Sequence, residues 1–274
     1  MLTTPAWLET AIDEEIITKI DTDPRTLAAP GAFLGWPKNK IFVDVIGFGQ
    51  ADFDTTVGHL SPHDRALLYA RYNQPRHLDE LTDAFGKLLS SSQHAGRPTI
   101  LDLGCGPFTA GLAFAAVFGP SREFRYFGID IATSMCQFGA RLVTAARRYG
   151  GLNDRTTCSF ESDLNNVKFG PIRGDLTIVV ASYLLASPTL DVKLLIEKLL
   201  NALSRIGPGP VAVLFTNSAA PHLNTKYPEF RQALCDAGFA IEVDDTEFFI
   251  NTTKTPKDLR YALFFRRAQT QITF

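Results

Sequence analysis

The sequence predicts an α/β chain: a doubly wound, mostly parallel sheet of seven strands, closed by an antiparallel C-terminal hairpin and preceded by a mainly helical N-terminal extension. Three observations carry this expectation. Short apolar runs, such as Ile100 to Leu103 and Leu176 to Ala181, alternate with amphipathic stretches, as buried parallel strands and their crossover helices do. The first run ends in a glycine turn, Gly104-Cys105-Gly106, that leads into a helix. After the last helix come two strand-like runs, Phe239 to Ile250 and Leu259 to Arg267, which fit an antiparallel hairpin. With 274 residues, 45% of them hydrophobic, the chain is long enough for one large core and needs no second one.

Taken in order, Thr4-Pro5 opens a helix whose apolar stripe is Trp7, Leu8, Ile12, Ile16 and Ile20. The stretch from Phe33 to Phe53, rich in glycine and aromatics, reads as irregular, with a short strand expected at Ile41 to Ile46. Ser61-Pro62-His63-Asp64 has the spacing of a capping box with proline at the first helical position. That helix continues through Leu67, Leu68 and Tyr72 until Pro75 interrupts it. Ser90 to Gly96 is a linker, so residues 1–96 form the extension and 97–274 the sheet domain.

Within that domain, strands are expected at Thr99 to Leu103, Phe124 to Asp130, Thr157 to Asp163, Asp175 to Leu185 and Val211 to Thr216. A helix is expected to begin near Thr133 or Ser134. Another is opened by Ser187-Pro188-Thr189, carries Leu194, Leu195, Leu199, Leu200, Leu203 and Ile206, and stops at Gly207-Pro-Gly-Pro210. Pro228 begins a last one, ended by Gly238.

The glycine turn points to a nucleotide-like ligand, since Gly104 and Gly106 let a ligand approach the backbone at the carboxyl end of a strand. A dinucleotide fingerprint would place its third glycine where this chain has Thr109. Asp102, two residues before the first glycine, would repel a pyrophosphate yet suits a cationic amino group. Asp130, ending the next strand, stands at the separation expected for a carboxylate that accepts from two ribose hydroxyls; the alternative is an acid that only caps the following helix.

From Leu101 to Gly111 the chain resembles the class I S-adenosylmethionine-dependent methyltransferases, whose first motif reads hydrophobic-hydrophobic-Asp-hydrophobic-Gly-x-Gly-x-x-x-x-Gly. The resemblance implies a Rossmann-like domain and S-adenosylmethionine as methyl donor, with S-adenosylhomocysteine as product. Asp102, Gly104, Cys105, Gly106 and Asp130 would then hold the donor. Asp163 would meet the adenine amino group while Leu164 and Ile131 flank the ring, although Asp163 also suits a turn before Asn165-Asn166. Ala181, Ser182 and Tyr183 would face the transferable methyl group, with Tyr183 either bonding a substrate or packed beneath the next segment. Because many such enzymes cover the methionine end with a helix before the first strand, Tyr72, Arg76 and His77 are lid candidates, with Arg76 able to pair with the donor's carboxylate; a plain surface role is the other reading.

An acceptor that ionises must give up a proton, and the five histidines, His59, His63, His77, His94 and His222, are the side chains that titrate near neutrality. His77 in the lid and His222, in a substrate loop Asn217 to His222, are the two placed for it. No metal is expected, because the fourth strand ends in Ala-Ser-Tyr rather than an acid, and the absent Asn/Asp-Pro-Pro-Tyr signature argues against planar amino-group acceptors such as adenine N6. Four cysteines without Cys-x-x-Cys spacing argue against a zinc site or disulfide framework. The N-terminus lacks a secretory pattern and no run is long enough for a membrane span, which favours the cytoplasm.

A net charge of −2 gives no footprint for phosphate-rich partners, so a small-molecule acceptor is the leading expectation. The alternative is RNA: Arg71-Tyr-Asn-Gln-Pro-Arg-His-Leu78 with the glycine motif resembles the ribosomal small-subunit methyltransferase-like family linked to mitoribosome assembly, but that family's cysteine cluster is missing. A further alternative is a non-catalytic protein that binds the donor and acts through a partner, against which the intact Asp102, Gly104, Gly106 and Asp130 set argues.

Overall fold

The computed structural model describes residues 4–91 and 96–268, so His94 lies outside the described residues. Five strands, each ending at the same edge, form a parallel sheet: β3 (Thr99–Leu103), β4 (Arg125–Ile129), β5 (Thr157–Glu161), β6 (Thr177–Ser182) and β7 (Val211–Ser218). A long hairpin, β8 (Ala240–Phe249) and β9 (Lys257–Arg266), adds antiparallel through β9 to β7. The sheet order is β5-β4-β3-β6-β7-β9-β8, so the chain reverses direction between β3 and β6, where open α/β sheets form their crevice. A two-residue pair, β1 (Ala32–Phe33) and β2 (Trp36–Pro37), stands apart.

Alternation along the strands sorts the core into two faces. Ile100, Tyr126, Ile178, Val180, Ala212 and Leu214 point to one, covered by α5 (Pro62–Tyr72), α6 (Gln74–Ser91), α7 (Thr109–Phe118) and α8 (Thr133–Arg148). Leu101, Leu103, Phe127, Ile129, Val179, Val213 and Phe215 point to the other, under α9 (Val192–Ile206) and α10 (Tyr227–Asp236). Helices on both faces bury the central strands β3, β4, β6 and β7, while the edge strands β5 and β8 stay partly exposed.

The first helical stretch runs from Ala6 to Asp21 as α1 (Ala6–Ile12), one π turn (Asp13–Ile17) and α2 (Thr18–Asp21). Its stripe is buried: Leu8, Ile16 and Ile20 belong to the same core as α5 to α8, and the Trp7 ring occupies the space a side chain at Gly151 would need. A short helix α3 (Pro24–Ala28) follows, then α4 (Lys38–Lys40).

Two local expectations are corrected. Ile41 to Ile46 is not a strand; it forms a π turn (Ile41–Val45) continuing α4, with Ile41, Val45 and Ile46 buried against α5. Helix α9 is opened not by Ser187-Pro188-Thr189 but by Asp191, whose carboxylate accepts from the Leu194 N–H at 3.0 Å. The Ser61–Asp64 capping box is present in full, and Pro75 ends α5 by starting a second helix, α6. Among the described residues no helix is long and apolar enough to cross a membrane.

Candidate functional site

The glycine turn is built from the backbone outward. The Gly104 and Cys105 N–H groups both donate to the Ile129 carbonyl, at 2.8 and 3.0 Å, which bends the chain off β3. Gly104 and Gly106 sit at φ +69° and +49°, where a side chain is strained, and the Gly106 N–H donates to Asp130 Oδ2 at 2.9 Å. Phe108, itself left-handed at φ +65°, tucks its ring beneath α7, and Gly111 is needed because a Cβ there would lie 1.9 Å from that ring. Cys105 therefore offers the site its backbone; its thiol is buried below the turn beside Cys136, and burial pushes its pKa upward.

Two carboxyls face this turn. Asp102 is buried and held by the Tyr126 hydroxyl, which donates to Oδ2 at 2.6 Å. Burial pushes its pKa up to about 7, against the Tyr126 bond and with the help of the neighbouring Asp130 charge. Asp130 accepts from the Gly106 and Ala132 N–H groups, and burial outweighs those bonds so that its pKa also rises. No lysine or arginine among the described residues forms an ion pair with either acid. Next to Asp130, Ile131 is 84% exposed, an apolar surface offered at the rim.

The helix after Asp130 is capped from elsewhere. Ala132 has no side chain to cap α8, and Asp54, from the extension, accepts from the Thr133 and Ser134 N–H groups at 2.7 and 2.8 Å. Nothing in the local sequence signals this partner, 79 residues upstream.

At the other rim the picture is mixed. Asp163 accepts from the Asn165 N–H and pairs with Lys198 Nζ at 3.3 Å, bonds that hold its carboxyl below the usual range. Leu164 is buried in the core of the second face, which leaves Ile131 as the exposed apolar side chain beside the acids. Ala181 is fully buried at the end of β6, and Ser182 Oγ accepts from the Thr216 hydroxyl at 2.9 Å.

Above the turn the structure assembles a group that the sequence reading had found only in part. Tyr183, left-handed at φ +57°, turns its ring onto His77, with centroids 4.1 Å apart and planes 21° from parallel. Left-handed backbone at a residue other than glycine is costly, and here it aims the ring. The His77 Nδ1 lies 3.4 Å from the Tyr69 hydroxyl, and the Tyr69 ring overlies Gly106. Leu184, beside Tyr183, packs over Gly104.

Behind these rings stands Glu80, 2% exposed, which accepts from the Tyr183 hydroxyl at 3.2 Å through Oε1. Its Oε2 is buried without a hydrogen-bond partner. Burial pushes the Glu80 carboxyl up to about 8, opposed by Arg76, the Tyr183 bond and Lys257 and reinforced by Asp79. The same burial, with Arg76 and Lys257 nearby, pushes His77 down to about 3 and keeps its ring neutral at ordinary pH.

Of the expected lid residues, then, His77 reaches the crevice. Arg76 donates to the Thr255 carbonyl of the β8–β9 connection and stands 3.9 Å from Glu80. Tyr72 does not overlie the turn: its hydroxyl donates to the Lys38 carbonyl and its ring meets Phe33 edge-on, while Tyr69, one turn earlier, takes that place. His222 is exposed on a turn (Pro221–Leu223), and no hydrogen bond or ring contact joins it to the His77 group. His59 bonds the Leu34 carbonyl and His63 lies against Arg141, both away from the crevice residues.

No protein-family model and no curated protein matches the sequence. Solved structures do match in shape. An S-adenosylmethionine-dependent methyltransferase from Clostridium acetobutylicum aligns with a TM-score of 0.50 at 11% identity, over 74% of this chain and 98% of the other. The magnesium protoporphyrin IX methyltransferase of Synechocystis, in a structure with bound SAM, aligns at 0.47 and 15% identity, over 82% and 93%. Five parallel strands with the hairpin inserted as β7-β9-β8, and a glycine turn at the reversal point, give this chain the Rossmann-like fold of the class I S-adenosylmethionine-dependent methyltransferases.

Proposed function

We propose that the protein is an S-adenosylmethionine-dependent methyltransferase acting on a small-molecule acceptor. The observation that carries this reading is the pair of buried carboxyls, Asp102 and Asp130, flanking a glycine turn, with no lysine or arginine among the described residues paired to either. Such a crevice suits a donor that brings its own positive charge and hydroxyls, and it disfavours a pyrophosphate. Asp102 would take the donor's ammonium group, Gly104 to Gly106 its main-chain-hugging middle, and Asp130 the ribose hydroxyls. Ile131 would cover one side of the adenine, with the second lone pairs of Asp163 available to its amino group.

Methyl transfer needs an acceptor atom held in line with the sulfonium carbon in a place free of water. Ala181, Ser182 and Tyr183 would form the floor of that place, and the Tyr69, His77 and Tyr183 rings its walls. Calorimetric titration with S-adenosylhomocysteine tests the reading. Wild type is expected to bind, and Asp130→Ala to bind at least about tenfold more weakly, the equivalent of one charge-assisted hydrogen bond. Binding of a nicotinamide dinucleotide in place of S-adenosylhomocysteine would remove the proposal. Salt-dependent binding of RNA would move the acceptor from a small molecule to a nucleic acid.

A further inference from the structure

We propose that the acceptor is an amine and that Glu80 is the group that receives its basic nitrogen, through its free carboxyl oxygen and beside the faces of Tyr69, His77 and Tyr183. The inference rests on the methyl-transfer reading and specifies the chemistry of the site's second half.

The surroundings of Glu80 are out of balance. Glu80 sits on α6, on the stripe that also carries Leu81, Ala84, Phe85 and Leu88, all buried against the sheet's first face. A carboxyl placed there is expensive unless something pairs with it. Oε1 has the Tyr183 hydroxyl, but Oε2 has nothing. The nearest cation, Arg76, makes only a long ion pair with Oε1, at 3.9 Å from Nη1, which has no hydrogen bond; its other terminal nitrogen donates to the Thr255 carbonyl, and Oε2 is left without a partner. The remaining charged neighbours, Lys257 and Asp79, act at longer range, and Asp79 is engaged by Thr252 and Thr253.

The position of Glu80 ties this imbalance to the donor crevice. Tyr183 directly follows β6, whose neighbour β3 carries the glycine turn, and Leu184 packs over Gly104. From the turn, contacts run without a break through Tyr69, His77 and Tyr183 to Glu80. A bound ammonium group would meet a carboxylate oxygen and ring faces, the two partners that stabilise an organic cation away from water. A carboxylate acceptor would instead bring a second negative charge to a buried acid. A phenol would arrive neutral and leave the imbalance as it was.

Proton and charge accounting also fits. The amine enters as R–NH3+ while neutral Glu80 gives its proton to water, and the resulting carboxylate then takes one N–H proton, leaving R–NH2. Its lone pair forms the C–N bond while the C–S electron pair leaves with the thioether. The product is R–NH2+–CH3 and Glu80 is neutral again, so the one proton released per methyl transferred is the one Glu80 gave up when the amine bound. His77, neutral and weakly basic, serves as a stacking surface in this scheme.

The test uses the complete protein saturated with S-adenosylhomocysteine, titrated with benzylamine, benzyl alcohol and benzoate in two buffers of different ionisation enthalpy at about pH 7. Expected are binding of benzylamine in preference to the other two and release of about one proton per amine bound, since Glu80 must ionise to pair with it. Glu80→Gln should keep its S-adenosylhomocysteine affinity, lose at least about tenfold for benzylamine and release no proton. Three outcomes overturn the inference: no benzylamine binding to wild type, preference for benzoate or benzyl alcohol, or binding without proton release. Because these are read on wild type, they decide the matter even if the variant fails to fold. Failure of S-adenosylhomocysteine itself to bind would instead strike the methyltransferase reading.

Discussion

Replacing Glu80 by glutamine is expected to stabilise the protein, and increasingly so as the pH rises. The carboxyl has an ordinary value of 4.5 and is pushed up to about 8 by burial in the fold. Between those values the folded chain holds a proton that the unfolded chain has released, so wild-type stability falls as pH rises through the window. A separation of about 3.5 pH units, at about 1.4 kcal/mol each, sets a ceiling of about 5 kcal/mol on the penalty. Glutamine keeps the shape and an oxygen for the Tyr183 hydroxyl but has no proton to lose. The two proteins should therefore differ by only about 1 kcal/mol at about pH 5 and by about 4 kcal/mol at about pH 8, or about 8–16 °C in Tm. His77, whose lowered value costs stability as pH falls below 6.5, contributes equally to both proteins and drops out of the difference. Urea unfolding of both proteins across that range is the assay. Parallel stability curves would refute the claim that this carboxyl is held neutral by its surroundings.

Two further outcomes follow from the rim of the crevice. Asp54→Ala should cost about 1–2 kcal/mol in urea unfolding, since it strips the cap from the first turn of α8, and hydrogen exchange of the Thr133 and Ser134 amides should quicken. Ile131→Ser should leave unfolding unchanged within about 0.5 kcal/mol, because the side chain is already exposed, while weakening S-adenosylhomocysteine severalfold; equal affinity would clear Ile131 of contact with the adenine.

The sheet was legible because buried parallel strands announce themselves: Ile178, Val179 and Val180 admit no solvent face, and Asp102 and Asp130 stand at strand ends where sequence alone can count them. The segment from Ile41 to Ile46 misled because β-branched residues favour strands, yet the burial of Ile41 and Val45, four residues apart, is a helical spacing that wins once α5 is there to pack against. Glu80 was missed for a similar reason. It is one acid among Asp79, Glu80 and Asp83, and only its interval of four to Ala84 and eight to Leu88 places it on the buried stripe. A charged residue falling on an apolar stripe was the available signal. Tyr69 and Tyr72 could not be told apart without the direction of α5, and the cap from Asp54 depends on a loop whose course no local rule fixes.

The first helix and the sheet domain share one core, with Leu8 and Ile20 in the same cluster as Ile100 and Leu214. Tyr69, His77 and Glu80 all come from this same early part of the chain. The protein is therefore not modular at residue 97. A chimera joined there would transplant the far wall of the crevice and a share of the folding energy together, so that drift in selectivity and drift in robustness are bound to one inheritance.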